Sequence, residues 1–185
     1  MKQEILKMSS VPEVNHPELF PWVLVVMSAI SLQCFLVPFV FTVRVRISTF
    51  TKEFMQQFDA EHKAAFPEDE SAPPIGFPDM GNGYFSKQLT YAQWYHFNNA
   101  QRVHYNFLEA LPMILMLLFI AGLTQPLAAL ILGCIYFVAR LVYLVGYMKG
   151  GPNMRGFGAI PSSLAQLALF GISFYTCAQF LKMYP

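Results

Sequence analysis

The sequence is poor in charge, and what it lacks narrows the choices early. Only 12% of its 185 residues are charged while 55% are hydrophobic, against roughly a quarter charged in ordinary soluble domains. A chain this apolar has too few polar side chains to cover a water-facing surface, so it reads as an integral membrane protein. The net charge is +1, and the clustered basic surface that nucleic acid calls for is missing. Cys34, Cys134 and Cys177 lie far apart, each inside an apolar run and without metal-ligand spacing. They read as buried small hydrophobes, and no metal is expected. There is no internal repeat and no low-complexity tract. Residues 1–18 lack the charged, apolar, small-residue order of a cleaved signal and are expected to stay on the mature protein.

What the sequence does have is long uncharged runs. Residues 20–43 carry no charge and end at Arg44 and Arg46, and about 20 apolar residues suffice to cross a bilayer. Pro21 suits the first helical turn, Pro38 lies inside and should kink the helix, and Trp22 fits an interfacial anchor. Residues 44–94 then turn polar and rich in turn formers, through Phe66-Pro67-Glu68-Asp69-Glu70 and Gly76-Phe77-Pro78-Asp79-Met80-Gly81-Asn82-Gly83. This is a long polar loop whose aromatics (Phe77, Tyr84, Phe85, Tyr91, Trp94, Tyr95) are expected to fold it back on the protein or membrane surface, as an ordered cap or as a lid over a substrate.

The next uncharged window, 110–139, is about 30 residues long, too short for two spans of about 20 each. A turn at Gly122-Leu123-Thr124-Gln125-Pro126 interrupts it. Both flanking helices must therefore carry polar residues into the membrane. Measured from the turn, Glu109 and Arg140 are equidistant, as are Asn106 and Tyr143, and Arg102 and Tyr147. At 1.5 Å per residue these pairs lie from about 23 to about 34 Å from the turn, at matching depths of an antiparallel hairpin. Spacings of three and four place each set on one helix face. Glu109 and Arg140 are cheapest in the membrane as a structural ion pair. Arg102, His104, Asn106, Tyr143, Tyr147 and Arg155 exceed what solvating that pair requires, which points to a small, multiply charged ligand reached from the loop side, with an apolar second substrate arriving from the bilayer. His104 alone reads as an interfacial packing residue rather than a metal ligand.

A final uncharged run over 156–181 completes four spans, at about 20–43, 102–122, 126–148 and 158–181, in a single all-α membrane domain, a four-transmembrane-helix bundle. Lys and Arg concentrate on the side of the long loop, with eight (Arg44, Arg46, Lys52, Lys63, Lys87, Arg102, Lys149, Arg155) against Lys2, Lys7 and Lys182 opposite. Positive-inside bias puts residues 44–101 and 148–157 toward the cytosol, or toward the matrix in a mitochondrial membrane. The organelle, endoplasmic reticulum or mitochondrion, is left open.

The run Gln101-Arg102-Val103-His104-Tyr105-Asn106-Phe107-Leu108-Glu109-Ala110-Leu111-Pro112 resembles the signature of the membrane-associated proteins in eicosanoid and glutathione metabolism, above all their type-3 microsomal glutathione transferases. Arg140-Leu141-Val142-Tyr143-Leu144-Val145-Gly146-Tyr147, followed by Gly150, Pro152 and Arg155, is similar to the third-helix signature of that subgroup. The resemblance implies a homotrimer that binds glutathione between subunits. Arg102, His104, Asn106, Glu109, Tyr143 and Tyr147 would hold the tripeptide, and Arg44 or Arg46 would reach it from the adjacent subunit. Arg155 would stabilise the thiolate. It further implies a glutathione transferase or peroxidase acting on lipophilic electrophiles or lipid hydroperoxides. The alternative is a non-catalytic member, a structural or lipid-binding subunit of a larger membrane complex such as a mitochondrial respiratory assembly, or a scaffold that presents a fatty-acid-like ligand. Ala110 stands where some relatives carry a tyrosine, and the loop after the first span is longer than in typical members.

Overall fold

The computed structural model describes Pro12 and residues 14–182, so the reading of residues 1–18 falls mostly outside the described residues. Among the described residues every regular element is helical. In chain order they are α1 (Phe20–Val37), α2 (Val43–Thr49), α3 (Lys52–Met55), α4 (Asp59–Ala65), α5 (Tyr91–Gly122), α6 (Pro126–Gly150) and α7 (Gly156–Leu181). Four helical stretches are long and apolar enough to cross a membrane: Pro17–Thr49, Tyr91–Gly122, Pro126–Asn153 and Gly156–Leu181.

Pro38 does not break the first span. The segment Pro38–Thr42 between α1 and α2 is a π-helical turn, in which the Val43 N–H donates to the Pro38 carbonyl. A proline lacks the N–H that closes an α-turn and crowds the carbonyl four residues back; widening the turn by one residue keeps the backbone bonded, which lipid demands. The helix that carries the second span already begins at Tyr91, because no helix-stopping residue separates the polar segment 91–101 from the apolar one.

The chain forms two compact units, Met1–Gln33 with Leu108–Pro185, and Cys34–Phe107. The first packs all four spans around Val23 and Ile30 of α1, Ile114, Leu117, Leu118 and Ala121 of α5, Ala129 and Tyr136 of α6, and Ala165 and Leu169 of α7. Outward positions such as Leu24, Val25, Met116, Ile131, Leu164 and Leu167 are exposed apolar side chains, suited to lipid rather than water. Because lipid tails are as apolar as leucine, close packing and interhelical hydrogen bonds hold such helices together. Gly158 supplies the packing, since a Cβ there would run into the Tyr143 amide and the Ala139 carbonyl of α6. The bonds include buried Thr124 and Thr176 hydroxyls 2.6 Å apart, the Ser173 hydroxyl donating to the Leu117 carbonyl at 3.2 Å, and Gln33 donating to the Phe137 carbonyl at 3.2 Å.

The second unit turns the expected polar loop into a small helical structure with its own core of Phe50, Met55, Phe58, Ala72 and Phe97. Phe50 and Phe97 meet edge to face with centroids 5.0 Å apart. Two buried polar residues organise it. The Arg46 guanidinium donates to the Asp79 carbonyl at 2.6 Å and the Ile75 carbonyl at 3.3 Å, and it lies 4.1 Å from the Phe77 ring and 4.9 Å from that of Phe97. Ile75 has φ +53°, a left-handed conformation costly for a β-branched residue, and the bond to Arg46 helps hold it there. The Asp79 carboxylate accepts from the N–H groups of Gly81, Gly83 and Ser86 at 2.8, 2.9 and 2.7 Å and from the Ser86 hydroxyl at 2.9 Å. Burial pushes the Asp79 carboxyl up, but these donors outweigh it and hold its pKa below the ordinary carboxyl value.

Candidate functional site

The residues singled out in the sequence fall into three groups. The first is a stripe on α5. Positions 102, 106 and 109 follow the three-or-four step along one helix, and the structure leaves Arg102 and Glu109 exposed with Asn106 half-buried between them. The neighbouring Val103 and Phe107 face inward, so their burial fixes which way the stripe points. At 1.5 Å per residue it is about 10 Å long. His104 lies off the stripe, since residues two apart on a helix point to different sides. Its ring stacks beside Tyr105 with an interplanar angle of 12°.

The second group runs from α6 to the start of α7, all within the first unit. Arg140, Tyr143 and Tyr147 are buried and stack in sequence. The Arg140 guanidinium is 4.6 Å from the Tyr143 ring, the Tyr143 and Tyr147 rings are 5.6 Å apart, and the Arg155 guanidinium is 5.9 Å from the Tyr147 ring. For the buried Arg140 the Tyr143 ring suits a low-dielectric interior, where a ring face partly replaces water around a guanidinium. Arg155 caps the N-terminus of α7, its carbonyl accepting from the Gly158 and Ala159 amides at 3.1 and 2.9 Å, while its side chain is exposed. A Cβ on Gly146 would meet the Met154 carbonyl at 2.6 Å. That glycine lets the turn carrying Arg155 press against α6 beside Tyr147.

The third group is the pair at the end of the first span, where the structure separates two arginines the sequence left equivalent. Arg46 is buried and committed to Asp79, Ile75 and the Phe77 ring. Arg44 is exposed.

The Arg140–Tyr143–Tyr147–Arg155 series, the Arg102–Asn106–Glu109 stripe and four apolar spans stand on one chain, and the MAPEG family model matches residues 23–175 of it. The chain belongs to the MAPEG family. Membership agrees with the all-helical architecture and the four apolar spans of an integral membrane protein, and it is consistent with a glutathione-related membrane function. The match takes in α1 through most of α7, so it covers every candidate residue named above. It also spans the second unit, whose organising residues Arg46 and Asp79 the sequence reading did not single out as structural. A signal was present: Asp79-Met80-Gly81-Asn82-Gly83 has the aspartate-then-glycine order of a side chain that bonds backbone amides further along the chain. Among the described residues no group of His, Cys, Asp and Glu is placed to hold a metal ion.

Proposed function

We propose that this MAPEG protein is a glutathione-dependent membrane enzyme, a transferase or peroxidase that conjugates lipophilic electrophiles or reduces lipid hydroperoxides. The observation that carries the reading is the exposed Arg155 guanidinium at the N-terminus of α7, held beside Tyr147. A thiol of pKa about 8.5 is mostly protonated at neutral pH. A fixed cation at the positive end of a helix dipole favours the thiolate, which is the nucleophile. The α5 stripe supports the same ligand. About 10 Å is also the reach of an extended tripeptide at about 3.4 Å per residue. Arg102 offers forked donors to a carboxylate and Glu109 an acceptor for an amine, matching the two kinds of charged end on glutathione. Tyr143 and Tyr147 add hydroxyls, and Arg44 the charge contributed by an adjacent subunit of a homotrimer. His104, off the stripe, has the weaker case. Glu109 and Arg140 are proposed to offset each other's charge at equal depth whenever glutathione is absent.

In this scheme the thiolate sulfur attacks the electrophilic carbon of the second substrate, and the C–S bond forms as the leaving group departs as an anion or as a double bond or epoxide C–O bond breaks and the resulting anion takes a proton from water. With a hydroperoxide the sulfur takes one oxygen, releases the alcohol, and a second glutathione reduces the resulting sulfenic product to the disulfide with loss of water. Membranes of the endoplasmic reticulum or mitochondrion, with residues 44–101 and 148–157 toward cytosol or matrix, would supply glutathione on one side and lipophilic substrate from the bilayer.

The test is spectroscopic. Wild-type protein in detergent should bind glutathione and show the ultraviolet difference band of its thiolate. Arg155→Ala should lose that band while keeping most of the binding, and Arg155→Lys should restore part of it. Wild type that binds no glutathione would end the proposal. A second reading, a non-catalytic subunit of a larger membrane complex, is favoured by one observation, the aromatic core that the second unit builds for itself. It predicts co-purification of stoichiometric partners and no glutathione binding.

A further inference from the structure

The second unit contains a cavity of about 460 Å³ that the glutathione reading does not use. Its wall includes Phe58, Phe66, Tyr84 and Phe85 together with the carboxyl-bearing Glu61 and Asp79. Neither Lys nor Arg lines it, so its formal charge at neutral pH is negative. Three of the rings brace one another, with Phe58 centred 4.8 Å from Phe85 and 6.1 Å from Tyr84, and Phe66 is fixed from the other side by the His62 ring 4.9 Å away.

The two carboxylates are not equivalent. Asp79 already has three backbone amides and a hydroxyl and is buried, so it is spent on the fold. Glu61 has a single hydroxyl, that of Tyr84, whose one proton is shared between Oε1 at 2.7 Å and Oε2 at 2.8 Å. That bond raises the Tyr84 pKa and leaves most of the Glu61 acceptor sites open. His62, the remaining titratable group on the wall, is turned to Asp69, its Nε2 3.1 Å from Oδ2.

We propose that this cavity binds an organic cation, an ammonium with an apolar body, seated among the rings with its charge against Glu61. A cation over aromatic faces is attracted by the negative faces of the rings. A neutral molecule of the same shape would leave the carboxylate uncompensated. A volume of several hundred Å³ is that of an ordinary small-ligand pocket. The source of the ammonium is either a free amphiphilic amine or the choline headgroup of a lipid at the membrane surface.

Benzyltrimethylammonium is a suitable probe because neopentylbenzene, with carbon in place of the ammonium nitrogen, is its neutral isostere. Calorimetric titration of the full protein in neutral detergent should give saturable binding of the cation and at least tenfold weaker binding of the isostere. Glu61→Gln should weaken the cation at least fivefold, with an unchanged melting temperature as the check that the unit is folded. Displacement of the probe by glycerophosphocholine assigns the lipid headgroup; its absence with probe binding intact assigns a free amine. Equal binding of the two isosteres, or cation binding indifferent to Glu61→Gln in a folded variant, overturns the proposal. So does the absence of saturable binding to wild type. None of these results depends on glutathione, so the two readings stand or fall separately.

Discussion

Single side chains in this protein are assigned their work by what surrounds them, and Arg44 and Arg46 show it most directly. Arg44→Ala should leave thermal stability within about 0.5 kcal/mol, as for other exposed positions, and weaken glutathione binding. Arg46→Lys should do the opposite. A lysine cannot reach two carbonyls and two ring faces at once, and losing charge-assisted bonds of about 1.5–3 kcal/mol each should loosen the second unit, seen as faster proteolysis within residues 50–90. Asp79→Asn should cost the same unit about 2–4 kcal/mol, because an amide brings its own donors into a ring of donors. The pH dependence has a definite sign. Since the folded pKa of Asp79 lies below the ordinary 3.8, the unfolded chain holds more protons between the two values. Its contribution is therefore fully present above about pH 4–5 and is lost as pH falls through the folded pKa. Hydrogen exchange of the Gly81, Gly83 and Ser86 amides should follow that course, and in Asp79→Asn it should be flat with pH apart from the intrinsic rate.

At the scale of elements, the contact between α6 and α7 is set by backbone approach. Gly158→Ala puts a methyl group where the Tyr143 amide and the Ala139 carbonyl already are, and overpacking of this kind costs about 1–3 kcal/mol. The helices must then separate, which moves Arg155 relative to Tyr147. The expected outcome is a lower melting temperature in detergent and a weakened thiolate band, while an Ala at Gly171, where a Cβ would meet nothing within 4 Å, should change neither. Thr176→Val removes one partner of the buried hydroxyl pair with Thr124 and should cost about 0.6–1.7 kcal/mol, the range for such bonds in a membrane.

For the whole molecule, the charge asymmetry of its ends predicts orientation. A cysteine introduced at Ser71 should react with an impermeant maleimide from the cytosolic side of sealed vesicles, or the matrix side in mitochondria, and not from the other. The four spans and the polar stripes were legible in the sequence because lipid forces them to be. A backbone in hydrocarbon must be helical, and an ionisable residue there stands out against about 20 apolar neighbours. The 44–94 segment was not legible in this way. Phe50, Phe58 and Phe97 are far apart in sequence with no single period, so nothing local announces that they share a core.

The sequence by itself determined the number of apolar spans and the family, since each follows from counting residues along a helix or matching a run of side chains. Only the tertiary structure decided that Arg46 is structural and Arg44 exposed, and that the turn carrying Arg155 brings its guanidinium beside the Tyr147 ring. It likewise decided that the polar loop closes around an acidic, aromatic-walled cavity. Those outcomes rest on which distant side chains meet, and a burial or a ring contact has no one-dimensional record.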